Sequence, residues 1–142
     1  AVRDGSDLEA REHMTYACFL GGMAFNNAGL GYVHAMAHQL GGVYDLPHGV
    51  CNAMLLPYVE EMNAKHVPGK FRHIAKAIGM NVIDAIRQLA REVGIPEKLS
   101  ELGVTDPDLE LLAENAMKDA CAPGNPYQPS REEVMELFRK II

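Results

Sequence analysis

Three of the six histidines, His34, His38 and His48, fall inside one stretch running from Gly31 to Asn52, and that stretch constrains the chain more than any other. His34 and His38 are four residues apart. A helix therefore puts both on one face, with about 5–6 Å between their Cβ atoms. Ala35, Met36 and Ala37 make that helix narrow and apolar, so it should be central and buried. A buried histidine needs a hydrogen-bond partner or a metal. Gly41-Gly42 predicts the helix end, because glycine tolerates the left-handed backbone of a C-terminal cap. A loop then presents Pro47-His48-Gly49 where the chain can double back toward the first two rings. Any one of these histidines alone reads as an ordinary polar residue. Three of them, punctuated by glycines, point to nitrogen ligands converging on a divalent metal. Imidazole suits iron(II), zinc, nickel and copper alike, so ligand type alone does not choose the ion.

The rest of the chain says what surrounds that stretch. At 142 residues it makes one domain with room for a core. Runs of β-branched residues are scarce, and the fold expected is all-α, a helical bundle. There is no dinucleotide fingerprint: Gly29-Leu30-Gly31 comes nearest, but His34 stands where the third glycine belongs and no strand precedes it. A net charge of −6 without a Lys/Arg cluster argues against a nucleic-acid partner. No apolar run reaches the length of a membrane span, and no signal peptide opens the chain. Cys18, Cys51 and Cys121 lack CxxC spacing and read as reduced, mostly buried thiols of a cytoplasmic protein.

In chain order, Ser6-Asp7-Leu8-Glu9 fits a capping box that opens a long helix to about Asn27. Gly21-Gly22 within it suggests close approach of a neighbouring helix. Tyr16, Phe19 and Phe25 read as core or domain interface, and Phe25 carries a second reading as a ring beside a cofactor. The histidine helix spans about Leu30 to Leu40. After the His48 loop a helix from about Gly49 to Asn63 follows, which Pro57 should kink or divide; its segment Cys51 to Leu56 should pack on the histidine helix. His66 and His73 should face solvent. Further helices are expected from Lys70 to Ile78 and from Asn81 to Gly94. Leu99 to Val104 reads as connecting chain, and a helix capped around Asp108 should run to about Cys121. The proline-rich segment Ala122 to Pro129 reads as an ordered surface crossing, and Ser130-Arg131-Glu132-Glu133 as a second capping box before a final helix.

The central stretch also resembles the iron-activated (group III) alcohol dehydrogenases. That family's signature corresponds to Gly31, His34, Ala37-His38, Gly41, Pro47-His48-Gly49, Asn52-Ala53 and Leu56-Pro57 here. The similarity extends upstream through Gly22-Met23-Ala24-Phe25 and down to Gly124-Asn125-Pro126. It implies the C-terminal metal-binding domain of the dehydroquinate synthase-like, iron-containing alcohol dehydrogenase fold. It implies His34 and His48 as metal ligands, with iron the first candidate and zinc the second. It implies His38 beside the nicotinamide and the substrate, relaying the alcohol proton. The parent would be an NAD(P)-dependent enzyme of small primary alcohols and aldehydes, and a homo-oligomer.

The family takes its remaining ligands, an aspartate and a histidine, from a helix upstream, and binds NAD(P) on an N-terminal α/β domain. Neither is present in residues 1–142. The resemblance therefore implies part of a helical metal-binding domain, inactive by itself. Apolar surface bared around Val33, Met36 and Leu40, and around Gly22 and Phe25, should drive self-association over the histidine stretch. Read from the residues alone, His38 can instead serve as a third ligand. That leaves a self-contained helical metal-binding module or a zinc hydrolase as alternatives. Against the hydrolase, Ala35 stands where a zinc protease carries its general-base glutamate.

Overall fold

The computed structural model describes all 142 residues and contains helices and no strands, as expected. Seven α-helices follow one another: α1 Leu8–Ala28, α2 Tyr32–Tyr44, α3 His48–His66, α4 Pro68–Ile78, α5 Val82–Glu92, α6 Leu109–Lys118 and α7 Arg131–Arg139. Short 3₁₀ turns lie at Leu99–Leu102 and Ala122–Gly124.

The core is built around α2. Tyr32, Val33, Ala35, Met36, Ala37 and Leu40 are all buried on it. They meet Cys51, Met54, Leu55 and Val59 of α3, Leu112, Ala113 and Ala116 of α6, and Val134, Leu137 and Phe138 of α7. The histidine helix is thus central because almost all of its circumference up to Leu40 is apolar or small, with His34, His38 and Gln39 half-buried and only its last turn, at Gly42 and Val43, exposed.

Several boundaries differ from the sequence expectation, each for a local reason. Asp7 caps α1, accepting from the Ala10 N–H at 3.0 Å, while Ser6 turns back to Asp4. Gly41-Gly42 does not end α2; the helix runs on to Tyr44 and closes on Asp45, at φ 55°. Tyr44 packs on the core and its hydroxyl accepts the Asp108 N–H at 3.0 Å, which anchors the last turn against the modest cost of two glycines. His48 is not in a loop but is the first residue of α3, with Pro47 as N-cap. Pro57 does not divide α3, because Met54, Leu55 and Val59 hold both flanking turns in the core. Leu99 to Val104 is more than a connection: Leu99 is fully buried and its N–H donates to the Ile141 carbonyl at 2.7 Å. α6 stops at Lys118 rather than Cys121, since the Asp119 side chain captures the Cys121 N–H at 2.8 Å. The caps at Asn81, Asp108 and Ser130 stand as expected.

α1 is the exception to this packing. It buries no residue and forms no packed interface with another helix. Tyr16, Phe19 and Phe25, expected in a core or domain interface, are 59%, 65% and 50% exposed. Cys18 is exposed too, whereas Cys51 is buried and Cys121 half-buried. Of the two apolar faces expected to be bare, Val33, Met36 and Leu40 on the histidine helix are buried, whereas the one around Phe25 on α1 is exposed. Self-association is therefore expected through α1 rather than over the histidines. Light scattering should show the mass of the chain rising with concentration, and Phe19→Ser with Leu20→Ser should bring it down to a monomer. A monomer at high concentration without those changes would remove the role assigned to α1.

Candidate metal centre

The three imidazoles come together. Ring centroids are 5.4 Å apart for His34 and His48, 5.3 Å for His38 and His48, and 6.0 Å for His34 and His38. α2 supplies two rings from consecutive turns. The short link from Asp45 to Pro47 turns the chain back, so the first residue of α3 supplies the third. His34 and His38 are half-buried and His48 is exposed. Burial first, then the charge of His48 and of His38, pushes the His34 imidazole below its usual range, against a smaller opposing pull from Asp119. His34 is therefore neutral at neutral pH, which is the form that ligates metal.

Each of the other two rings is held by a neighbour. Asn52 Nδ2 lies 2.9 Å from His48 Nε2, one helical turn along α3. His38 Nδ1 lies 2.9 Å from Asp119 Oδ2. Burial alone would raise the Asp119 carboxyl, but hydrogen bonds from the Cys121 N–H and from His38 outweigh it and hold the group below the usual range. The tightest trio of ligand-type atoms is not the three histidines. It is His38, Asp119 and Cys121, whose atoms lie within 4.8 Å of one another.

A divalent cation at His34 and His48 fits this arrangement in part. Both rings offer imidazole nitrogens, but the Asn52 amide NH₂ can only donate to His48 Nε2, so an ion held there would have to displace that contact. Asn52 Oδ1 beside them is buried without any partner, so the chain's own residues leave polar demand unmet there. No carboxylate is free to balance the charge, because Asp119 is already engaged by His38, by Gln39 and by the Cys121 N–H. The residues present therefore make half a site. Beyond His34 opens a cleft of about 460 Å³, whose rim includes Glu60, Asn63 and Asn125. Burial raises the Glu60 carboxyl, and its hydrogen bond from Asn63 opposes that shift.

Phe25 lies on α1 and pairs with none of the three rings. His66 and His73 are exposed as expected, and His66 stacks on Tyr127 at 3.6 Å between centroids. Asp119 has no place in the sequence reading, and Asn52 enters it only within the family signature, without a role beside His48. Asn52 had a findable signal, its spacing from His48 on one helix. Asp119 had none, since 81 residues separate it from His38.

Comparison with known proteins covers the whole chain. A profile described as Fe-containing alcohol dehydrogenase family, C-terminal, matches residues 1–142. A 1,3-propanediol dehydrogenase of Citrobacter freundii is 50% identical over all of this chain and 40% of its own length. Alcohol dehydrogenase 4 of Schizosaccharomyces pombe is 51% identical over all of this chain and 36% of its own length. Among solved structures, a 1,3-propanediol oxidoreductase superposes with a TM-score of 0.92 at 49% identity, over 97% of this chain and 39% of that one. An alcohol dehydrogenase from Oenococcus oeni gives a TM-score of 0.92 at 46% identity, over 98% of this chain and 39% of its own. The chain thus spans about 40% of the length of the relatives it matches. Its sequence along the full 142 residues and its helical fold together place it: the chain belongs to the iron-containing alcohol dehydrogenase family and corresponds to that family's C-terminal helical domain.

Proposed function

We propose that residues 1–142 belong to an NAD(P)-dependent dehydrogenase that interconverts small primary alcohols and aldehydes by hydride transfer, with His34 and His48 as ligands of a divalent ion. The observation that carries this reading is the meeting of three imidazoles within 6.0 Å, one of them kept neutral, in a chain of this family. Iron is the first candidate and zinc the second. Such an ion supplies Lewis-acid polarisation of the substrate oxygen. The chain's own residues do the rest. His34 and His48 fix the ligand positions from two rigid helices. Asn52 engages the His48 ring at Nε2 and would give that nitrogen up, or turn its amide, when an ion binds there. His38, stacked on His48 and partly open to solvent, stands ready to take up and pass on the alcohol proton. The buried side of α2 keeps water away from the rear of the site. The remaining ligands and the nicotinamide site come from outside these residues, so the chain alone is inactive.

Titration calorimetry with zinc and with anaerobic iron(II) tests the assignment. Binding to the chain should be weak, because two neutral imidazoles leave the ion's charge uncompensated. His34→Ala and His48→Ala should each lower it by at least about 10-fold, the low end of what even supporting residues contribute to metal affinity. His38→Ala should leave it unchanged. Tight stoichiometric binding that requires His38 would establish a self-contained module instead. Steady NADH formation from a primary alcohol by the chain alone would refute the divided site.

A further inference from the structure

Asp119 reaches His38 from the far end of the sequence, and its carboxylate is gripped at both oxygens. Oδ2 faces His38 Nδ1 at 2.9 Å and accepts more weakly from Gln39 Nε2 at 3.4 Å. Oδ1 accepts the Cys121 backbone N–H at 2.8 Å. Gln39 is itself tied to α2, donating to the Ala35 carbonyl at 3.0 Å. The side chain of Asp119 is only 14% exposed, against 38% for His38. The carboxylate is therefore a fixed feature, and the ring is the part that meets solvent.

An ionised carboxylate can only accept hydrogen bonds, so the His38 nitrogen facing it must carry the proton. In the neutral ring the other nitrogen then bears the lone pair. We infer that Asp119 is a positioning residue that locks His38 in the tautomer protonated on Nδ1, leaving Nε2 as the proton acceptor, a role that rests on His38 acting as the relay proposed above. Asp119 does not touch the reacting atoms. It decides which nitrogen of His38 is competent, and it holds the plane of the ring.

Asp119→Asn tests this because the turn dictates which way the new amide faces. The Cys121 N–H still needs an acceptor, so the amide oxygen stays on that side and the NH₂ group faces His38. An NH₂ donor opposite Nδ1 drives the ring proton to Nε2, the wrong nitrogen for accepting. Nitrogen-15 NMR of the histidine rings in the metal-free chain reads this directly. The parent chain should show His38 with a protonated Nδ1 and a lone-pair Nε2, and Asp119→Asn should exchange the two. Asp119→Ala, which frees the ring without imposing a donor, should give both tautomers. In the dehydrogenase that carries this domain, Asp119→Asn should lower kcat by about 100-fold, within the range of a lost acid–base group, with KM for the alcohol held. A His38 protonated on Nε2 in the parent chain, or a tautomer unmoved by both substitutions, would overturn the role of Asp119. A kcat unaffected by His38→Ala would overturn the relay itself, while the ring spectra would still judge the Asp119 contact.

Discussion

Gly124→Ala is expected to destabilise the fold by about 3 kcal/mol or more, at the upper end of overpacking costs. A Cβ at Gly124 would stand 1.9 Å from the Leu30 carbonyl oxygen and 3.1 Å from its carbon. Both are backbone atoms at the entry to α2, so no side chain can swing aside. Relief requires moving the 122–124 turn away from α2, and that turn carries buried Ala122 and leads into buried Asn125. Gly21→Ala offers the opposite sign. Its Cβ would meet nothing within 4 Å, and it lies inside exposed α1. Alanine there should add up to about 1 kcal/mol of helix stability. Thermal unfolding followed by circular dichroism separates the two outcomes. Gly124→Ala should lower Tm by roughly 10 °C, taking a few degrees per kcal/mol for a domain of this size. An unchanged Tm would show that the contact between this turn and Leu30 is not rigid.

The contrast between these glycines also marks what the sequence could and could not show. Local signals were legible: the spacing of His34 and His38, the turn that returns His48, and the side-chain caps at Asn81, Asp108 and Ser130. Each depends on residues within a few positions of one another. Gly41-Gly42 misled because a helix end is decided by what the next turn can hold. Here Tyr44 has a core to lie on and an N–H to accept from Asp108. The resemblance of the central stretch to the dehydrogenase family implies His34 and His48 as the ligands, where spacing alone leaves His38 open as well. The contacts that build around them were invisible, because each joins the histidine helix to the chain after α6. Asp119 meets His38 across 81 residues, and Asn125 meets the Tyr32 N–H across 93. Gly21-Gly22 looked like a helix contact, yet the glycines that needed their missing side chains are Gly31 and Gly124.

Asn125→Ala should cost about as much as the glycine change, through polar rather than steric loss. Asn125 and Asn63 are the two buried polar residues of the chain, and they face each other. Asn125 Nδ2 donates to Asn63 Oδ1 at 2.7 Å, and Asn63 Nδ2 returns a bond to Asn125 Oδ1 at 3.2 Å. The same Oδ1 accepts the N–H of Tyr32, the first residue of α2, at 3.2 Å. Helix N-termini leave their first N–H groups without intrahelical partners, and α2 has no side-chain cap of its own. Asn125 thus serves as that cap from across the fold, and Gly31 allows it, since a Cβ there would lie 2.5 Å from Asn125 Oδ1. Alanine at 125 would take away the partners of the Tyr32 N–H and of Asn63 Oδ1, while Asn63 Nδ2 would keep only Glu60 Oε2 at 3.3 Å. At about 1–3 kcal/mol for each buried group left unpaired, a loss of roughly 3 kcal/mol follows after partial relaxation. Asn125→Asp should not rescue it, because a second oxygen would then face the Asn63 and Tyr127 oxygens that Nδ2 now serves. Tyr32 begins the helix that carries His34, so the loss should also loosen the first turn beneath the candidate ligand. Urea unfolding of Asn63→Ala, Asn125→Ala and the double variant closes the cycle. The double variant should lose clearly less than the sum of the singles, because each single change already breaks both amide–amide bonds. Additive losses would mean that the two amides do not depend on each other and that α2 is held in place by its apolar faces alone.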